Sequence, residues 1–445
     1  MNVGMNASPN ECDVLVIGAG PAGSTAAALL AGKGHRVTLI EKARHPRFHI
    51  GESLLPANLP LLEKLGVADQ VKAIGMEKWG AEFVSPWHDH KQAFQFANAW
   101  DKSMPHAYQV ERAAFDEILI RNAAAKGADV IEGCRVGEVT FLPQGQGALV
   151  HTRSEDGEAA TWRTRFVVDA SGRDTLLGNQ LKAKVRNKKH NSTALYAHFK
   201  GATRNPGQAE GNITIFWFEH GWFWFIPLQD GKTSIGAVTW PYYLKTRTKP
   251  LPEFLLDTIA LCPQLAACLA SSEIVSEVQA TGNYSYHCDR SHGQGYVLLG
   301  DAFTFIDPVF SSGVMLAMNS GFVGADTVDV CLREPRAAKA ALKRFDAAIR
   351  CGPKQFSWFI YRVTNPTMRN LFMGPTNALR MEEALLSVLA GDIFGKTPIA
   401  GSLLAFKAVY YLMSLANFKR TWTAWRARKR NIADGASGAM GASGA

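Results

Sequence analysis

The chain has 445 residues, 47% of them hydrophobic, with a formal net charge of +9 and seven cysteines. A chain of this length buries a large core and divides into two or three closely joined domains. With no C-x-x-C pair and an odd cysteine count, spacing points to neither a zinc site nor a disulfide framework, and a reducing cytoplasm is expected. The first eleven residues lack a basic start followed by a long apolar run, so a secretory signal is not expected. Basic residues are dispersed until the carboxyl end, which argues against nucleic acid as a partner.

Residues 13–17 read as a buried strand, followed by Gly18, Gly20 and Gly23 in G-x-G-x-x-G spacing and an alanine-rich helix over residues 22–31. A second strand over residues 36–40 ends in Glu41. Glycines let the turn and the helix N-terminus approach a pyrophosphate, and a carboxylate some twenty residues on accepts bonds from ribose hydroxyls. Glu41, in place of a basic residue, suits an adenosine ribose without a 2′-phosphate and favours FAD or NAD over NADP. No second fingerprint follows a strand. An enzyme of this kind that holds FAD takes its electrons from a transient NAD(P)H encounter or from a separate NAD(P)H-flavin reductase.

Six later segments stand out in chain order. They are Gly51-Glu52-Ser53, Arg112 within Val110-Glu-Arg112, Asp169-Ala-Ser-Gly172, Trp222-Phe-Trp224-Phe-Ile226-Pro227, Gly300-Asp301-Ala302, and Asp307-Pro308-Val-Phe-Ser311-Ser312-Gly313. In a strand, Trp222, Trp224 and Ile226 point to one face and Phe223 and Phe225 to the other. Runs over residues 194–199, 213–218, 222–227 and 233–238 read as antiparallel strands, and beyond Ala337 the pattern turns helical.

Together with the fingerprint, these segments resemble the flavin-dependent halogenases and their geranylgeranyl-reductase-like relatives over residues 13–321. The resemblance implies an α/β fold in which a Rossmann-like FAD domain of the aromatic-hydroxylase-like type joins an antiparallel sheet domain and a helical C-terminal region. The expected boundaries are 1–43, 110–174 and 295–330 for the FAD domain and 44–109 with 175–294 for the substrate sheet. The helical region is expected over 331–431 and a disordered tail over 432–445.

The resemblance also assigns roles. Arg112, Gly300, Asp301 and Pro308 border FAD, with Asp301 accepting a ribityl hydroxyl, while Trp222, Trp224, Ile226 and Pro227 wall off the space over the flavin. Reduced FAD and oxygen give a C4a-hydroperoxide, which chloride or bromide attacks to give hypohalous acid. The halide is expected on the backbone N–H groups of Ser312 and Gly313, where a helix over residues 314–321 begins and its dipole favours an anion. An arene kept off the flavin needs a relay, and the family's essential lysine matches Lys78, with Lys72 as competitor. As a nucleophile the amine acts neutral; as a hydrogen-bond donor to the acid it acts as the ammonium.

One departure bears on the substrate. Tryptophan-type members carry a carboxylate two places before the Ser or Thr of the halide loop, and Phe310 stands there. The Val-Phe-Ser-Ser-Gly form is similar to that of members acting on phenols and pyrroles, some tethered to carrier proteins, which puts free tryptophan in doubt. His45, His49, His88 and His90 are the nearest candidate bases, and their spacing selects none. Three rival readings remain: an FAD-dependent reductase or desaturase of lipids or polyenes, a flavin monooxygenase, and a flavin-binding docking protein without turnover.

The carboxyl end combines an apolar stretch over 399–415 with Lys419, Arg420, Arg426, Arg428, Lys429 and Arg430, interleaved with Trp422 and Trp425. This reads as a helix with a solvated basic end, or as a peripheral contact for a membrane surface or an acidic carrier protein.

Overall fold

The computed structural model describes residues 10–187, 190–282, 285–395 and 397–437, with side chains to residue 432. Its first sheet grows from the strand Asn10–Ile17, whose last four residues, Val14 to Ile17, are buried. Parallel neighbours Val37–Ile40 and Ala159–Asp169 flank it, and Asp129–Ile131 and Tyr296–Leu298 extend the sheet on either side. A parallel arrangement needs crossovers, and Pro21–Gly32 supplies the first. Proline at its first turn costs no hydrogen bond, and its alanines let it lie close to the helix Gly313–Arg333. The approach is tight: a Cβ on Gly321 would stand 2.8 Å from the Ala22 carbonyl oxygen.

The second sheet runs in the order Glu273–Ile274, Thr193–Lys200, Lys232–Thr239, Gly221–Pro227, Ile213–Phe218, Gly80–Val84, Lys91–Gln95. The four strands expected from sequence are present and pair antiparallel with one another. One pairing departs from an all-antiparallel sheet: Ile213–Phe218 lies parallel to Gly80–Val84, because the chain passes through the first sheet between them.

Every residue of Gly221–Pro227 is buried, as befits a strand covered on both faces. Trp222, Trp224 and Ile226 share a core with Tyr196, Ile215 and Trp217, which the C-terminal helices cap through Phe356, Phe359 and Phe372. Phe223 and Phe225 join Phe216, Phe218 and Ile235 in a separate core under the helix Leu251–Ala260.

Beyond the first sheet, Ala338–Ile360, Pro366–Met373, Met381–Ala390, Ala400–Ala416 and Phe418–Ser437 form the helical region. The last helix runs past residue 432, where the tail was expected to begin. Residues 438–445 lie outside the described residues. No helix among the described residues is long and apolar enough to cross a membrane.

Candidate active site

A cavity of about 460 Å³ runs from the fingerprint turn to the tryptophan strand. At the fingerprint end, Gly18 adopts φ +93° and its missing side chain makes room for the Ala170 carbonyl oxygen, which a Cβ would meet at 2.5 Å. Gly20 faces open cavity, with only an Arg47 nitrogen 4.0 Å from where its Cβ would be. Glu41 is buried, and its Oε2 accepts the Ala19 N–H at 2.7 Å while Oε1 accepts that of Ala43 at 3.0 Å. Arg112 is clamped by Asp116 through two bonds of 2.9 and 3.0 Å and donates to the Ile50 carbonyl at 2.9 Å. Burial alone would raise the Asp116 carboxyl, but Arg112 outweighs it and holds it below the usual range.

Across the cavity, burial pushes the Asp301 carboxyl up to about 6, against the pull of Arg173 and Arg112. An open helix N-terminus, glycines that leave room, a buried carboxylate and fixed arginines are the donor set that a dinucleotide requires, so these residues fit FAD.

At the far end Trp222, Trp224 and Ile226 line the same cavity, together with Tyr196, Phe48 and Gln279. The two indoles lie 6.2 Å apart, and the Trp224 Nε1–H donates to Ser234 Oγ at 3.1 Å. Trp224 stands opposite Gly236 on the next strand, where a Cβ would fall 2.1 Å from the indole ring.

Lys78 lies on the short strand Met76–Lys78 and is 1% exposed. Its Nζ donates to Ser53 Oγ and to the Leu54 carbonyl oxygen, both at 2.9 Å, and lies 5.3 Å from the centre of the Phe96 ring. Among the described residues no carboxylate pairs with it, and burial pushes its amine down to about 7. Lys72 is exposed on the helix Ala68–Ile74.

The segment from Asp307 to Gly313 closes the cavity. Asp307 caps the turn Pro308–Phe310, Ser311 takes φ +54°, and the long helix begins at Gly313, which is exposed to the cavity. The Ser312 hydroxyl is buried and has no hydrogen-bond partner among the described residues. Phe310 points the other way, packed among Phe356, Phe359 and Phe372.

The FAD binding domain family matches residues 11–343. The tryptophan 2-halogenase of Chondromyces crocatus is 36% identical over 72% of this chain, which spans only 61% of that protein's length. The 1H-pyrrole-2-carbonyl-[peptidyl-carrier protein] chlorinase of Pseudomonas fluorescens is 30% identical, with 87% of this chain and 90% of that protein aligned. The chain belongs to the flavin-dependent halogenases. The myxobacterial chondrochloren halogenase CndH superposes with a TM-score of 0.76 at 34% identity, covering 88% of this chain and 92% of that one. A flavoprotein/dehydrogenase from Cytophaga hutchinsonii superposes at 0.84 with 30% identity, covering 92% and 100%.

In this halogenase the cavity gathers Gly18, Gly20, Glu41, Arg112, Trp222, Trp224, Ile226, Asp301, Pro308 and Gly313. Gly300 lines a small adjoining pocket with Asp301 and Gly313. Gly23, Lys78, Pro227 and Ser312 do not line the cavity. Gly23 packs on the Gly18 carbonyl, Pro227 ends its strand beside Thr233, and Lys78 reaches the cavity only through Ser53.

Of the four histidines weighed, His49 alone borders the cavity, its imidazole held down to about 4 by burial and then by Arg112. His45 pairs with Glu132, His88 with Ser85 and Asn370, and His90 with the Met373 carbonyl.

Two histidines that sequence reasoning passed over are tied to the site. His198 Nε2 lies 2.8 Å from Oε1 of the cavity residue Glu52. Burial would lower its imidazole, but the Glu52 carboxylate outweighs that and raises it. His190 Nε2 lies 2.8 Å from Asp307 Oδ2. Period-two alternation could have found His198, which shares its strand face with Tyr196. No local signal marks His190.

Proposed function

We propose that the protein chlorinates or brominates an electron-rich phenol or pyrrole, free or tethered to a carrier protein. FAD, held by the fingerprint, Arg112 and Asp301, supplies in its reduced form the electrons with which oxygen turns halide into hypohalous acid. The backbone N–H groups at Ser312 and Gly313 hold the halide at a helix N-terminus, where the dipole favours an anion. Trp222, Trp224 and Ile226 separate the arene from the flavin, and the oxidised halogen reaches Lys78 by way of Ser53, which joins the amine to the cavity.

The observation that carries this reading is Lys78 itself. A lysine buried without a carboxylate is costly unless it is neutral. As a neutral amine it spends both N–H bonds on Ser53 Oγ and Leu54 O, which leaves its lone pair free. The lone pair takes the halogen from hypohalous acid, the O–halogen bond breaks, and the departing hydroxide carries off one N–H proton as water, so the amine acts as a nucleophile rather than as an ammonium donor. Phe310 leaves the loop without the carboxylate of tryptophan-type members and favours a phenol or pyrrole. The Pseudomonas relative, named for a pyrrole on a peptidyl carrier, supports a tethered substrate. The exposed Lys419, Arg420, Arg426, Lys429 and Arg430 offer an acidic carrier a docking face. A separate NAD(P)H-flavin reductase supplies the reduced flavin.

The test is Lys78→Ala supplied with reduced FAD, oxygen, bromide and pooled phenols and pyrroles. Arene halogenation is lost while flavin oxidation continues. Undiminished product overturns the role of Lys78. The likeness to the Cytophaga flavoprotein/dehydrogenase favours a second reading, a flavin reductase or dehydrogenase. Products formed equally well without halide decide for it.

A further inference from the structure

The sequence leaves the basic carboxyl-terminal helix without a task inside the enzyme, yet one of its arginines turns inward. Lys419, Arg420, Arg426, Lys429 and Arg430 are exposed, whereas Arg428 is half-buried against Trp240 and Tyr361, its guanidinium 5.9 and 5.6 Å from their ring centres. Burial lowers its guanidinium to about 10, which still leaves it cationic at neutral pH. Arg428 Nη2 lies 3.2 Å from His190 Nδ1. A guanidinium can only donate, so Nδ1 accepts, and the ring hydrogen sits on Nε2. That Nε2–H donates to Asp307 Oδ2 at 2.8 Å.

Asp307 is 2% exposed, and the rest of its carboxylate is also engaged. Ser192 Oγ donates to Oδ2 at 2.8 Å, and the Val309 N–H donates to Oδ1 at 3.2 Å. Fixed in this way, Asp307 sets the turn Pro308–Phe310, the left-handed Ser311 that follows, and hence the direction in which the backbone of Ser312 and Gly313 meets the cavity. A left-handed serine is an uncommon conformation that persists only where its surroundings determine it.

We propose that Arg428 and His190 are positioning residues for the halide-binding loop: the chain Arg428–His190–Asp307 holds the backbone donors of Ser312 and Gly313 in register, so that the last helix is part of the active site's frame. This rests on the reading of Ser312 and Gly313 as the halide site. Neither Arg428 nor His190 lines the cavity, so substituting either removes no group from the cavity wall itself.

The experiment is calorimetric titration of bromide into the full-length, FAD-loaded protein, paired with halide kinetics. Arg428→Ala and His190→Leu each raise the bromide dissociation constant about tenfold, the effect of losing one buried hydrogen bond to a charged group. FAD content stays that of wild type, and the halide KM rises with kcat largely kept. The double variant is weakened less than the product of the two single effects, since both act on one carboxylate. His190→Gln, whose amide can still donate to Asp307, restores most of the affinity.

Should Arg428→Ala fail to fold, Ser192→Ala tests the same carboxylate without touching the last helix and weakens bromide in the same direction. Wild type that binds bromide, alongside Arg428→Ala, His190→Leu and Ser192→Ala proteins that bind it within twofold as well, overturns the positioning role alone. Wild type that neither binds bromide nor depends on halide overturns the halide site and this inference with it.

Discussion

The two ends of the cavity are built by opposite means. At the fingerprint end the work is done by backbone: Gly18 and Gly23 matter for the atoms they lack, and Glu41 serves by accepting two main-chain N–H groups. At the tryptophan end it is done by side chains assembled from distant strands, Tyr196, Trp222 and Trp224, with the buried Lys78 and His198 tied to the cavity through Ser53 and Glu52. The first kind of site is local and unforgiving of added atoms; the second is non-local and adjustable.

At the fingerprint end the largest effect is expected at Gly23. A Cβ there would stand 1.9 Å from the Gly18 carbonyl oxygen, and backbone cannot give way as a flexible side chain can. Gly23→Ala is expected to cost about 3 kcal/mol or more of stability and to yield protein without bound flavin. Thermal unfolding and the flavin absorbance of the purified variant measure both, and a yellow protein of wild-type stability would refute the account of that end.

At the other end the sharpest probe is pH, because Lys78 titrates near 7 when folded. If the neutral amine takes up the halogen, halogenation rises about tenfold per pH unit below 7 and levels off above it, while flavin oxidation follows a different profile. A rate that falls above 7 would assign the work to the ammonium form instead. Stability follows the same group. Between about 7 and the ordinary lysine range the unfolded chain holds a proton that the folded protein does not. Wild type therefore gains stability relative to Lys78→Met as pH rises through that window, and loses the gain as pH falls back toward 7.

The same contrast explains what could be read in advance. Strand, turn, helix, strand and acid fall within residues 10–41, so spacing alone reveals the dinucleotide fold. The buried alternation of Trp222 to Pro227 was legible because a strand has period two. What spacing cannot show is which distant group completes a site. His190 is inconspicuous until Asp307 and Arg428, 117 and 238 residues away in sequence, arrive beside it. The parallel pairing of Ile213–Phe218 with Gly80–Val84 was hidden for the same reason, since it depends on the route the chain takes through the first sheet. Lys78 stood between: the motif raised it above Lys72, but only packing shows one buried and the other exposed.

The adjustable end should also yield the smallest measurable change, at Gly236. This glycine is far from strained; it is needed because the Trp224 indole occupies the volume its side chain would fill. Gly236→Ala must push the ring toward the cavity or break the Trp224 Nε1–H bond to Ser234 Oγ, since the neighbouring strand is fixed by pairing on both sides. Overpacking of this kind costs about 1–3 kcal/mol. A displaced indole thins the partition proposed between flavin and arene, without substituting a residue that lines the cavity. The expected signature is therefore a folded, flavin-loaded enzyme whose halogenated products lose regiospecificity and are accompanied by hydroxylated ones, read by mass spectrometry. A product pattern unchanged from wild type, in a variant destabilised as expected, would mean that the indole position is structural and that the partition depends on Trp222 and Ile226 instead.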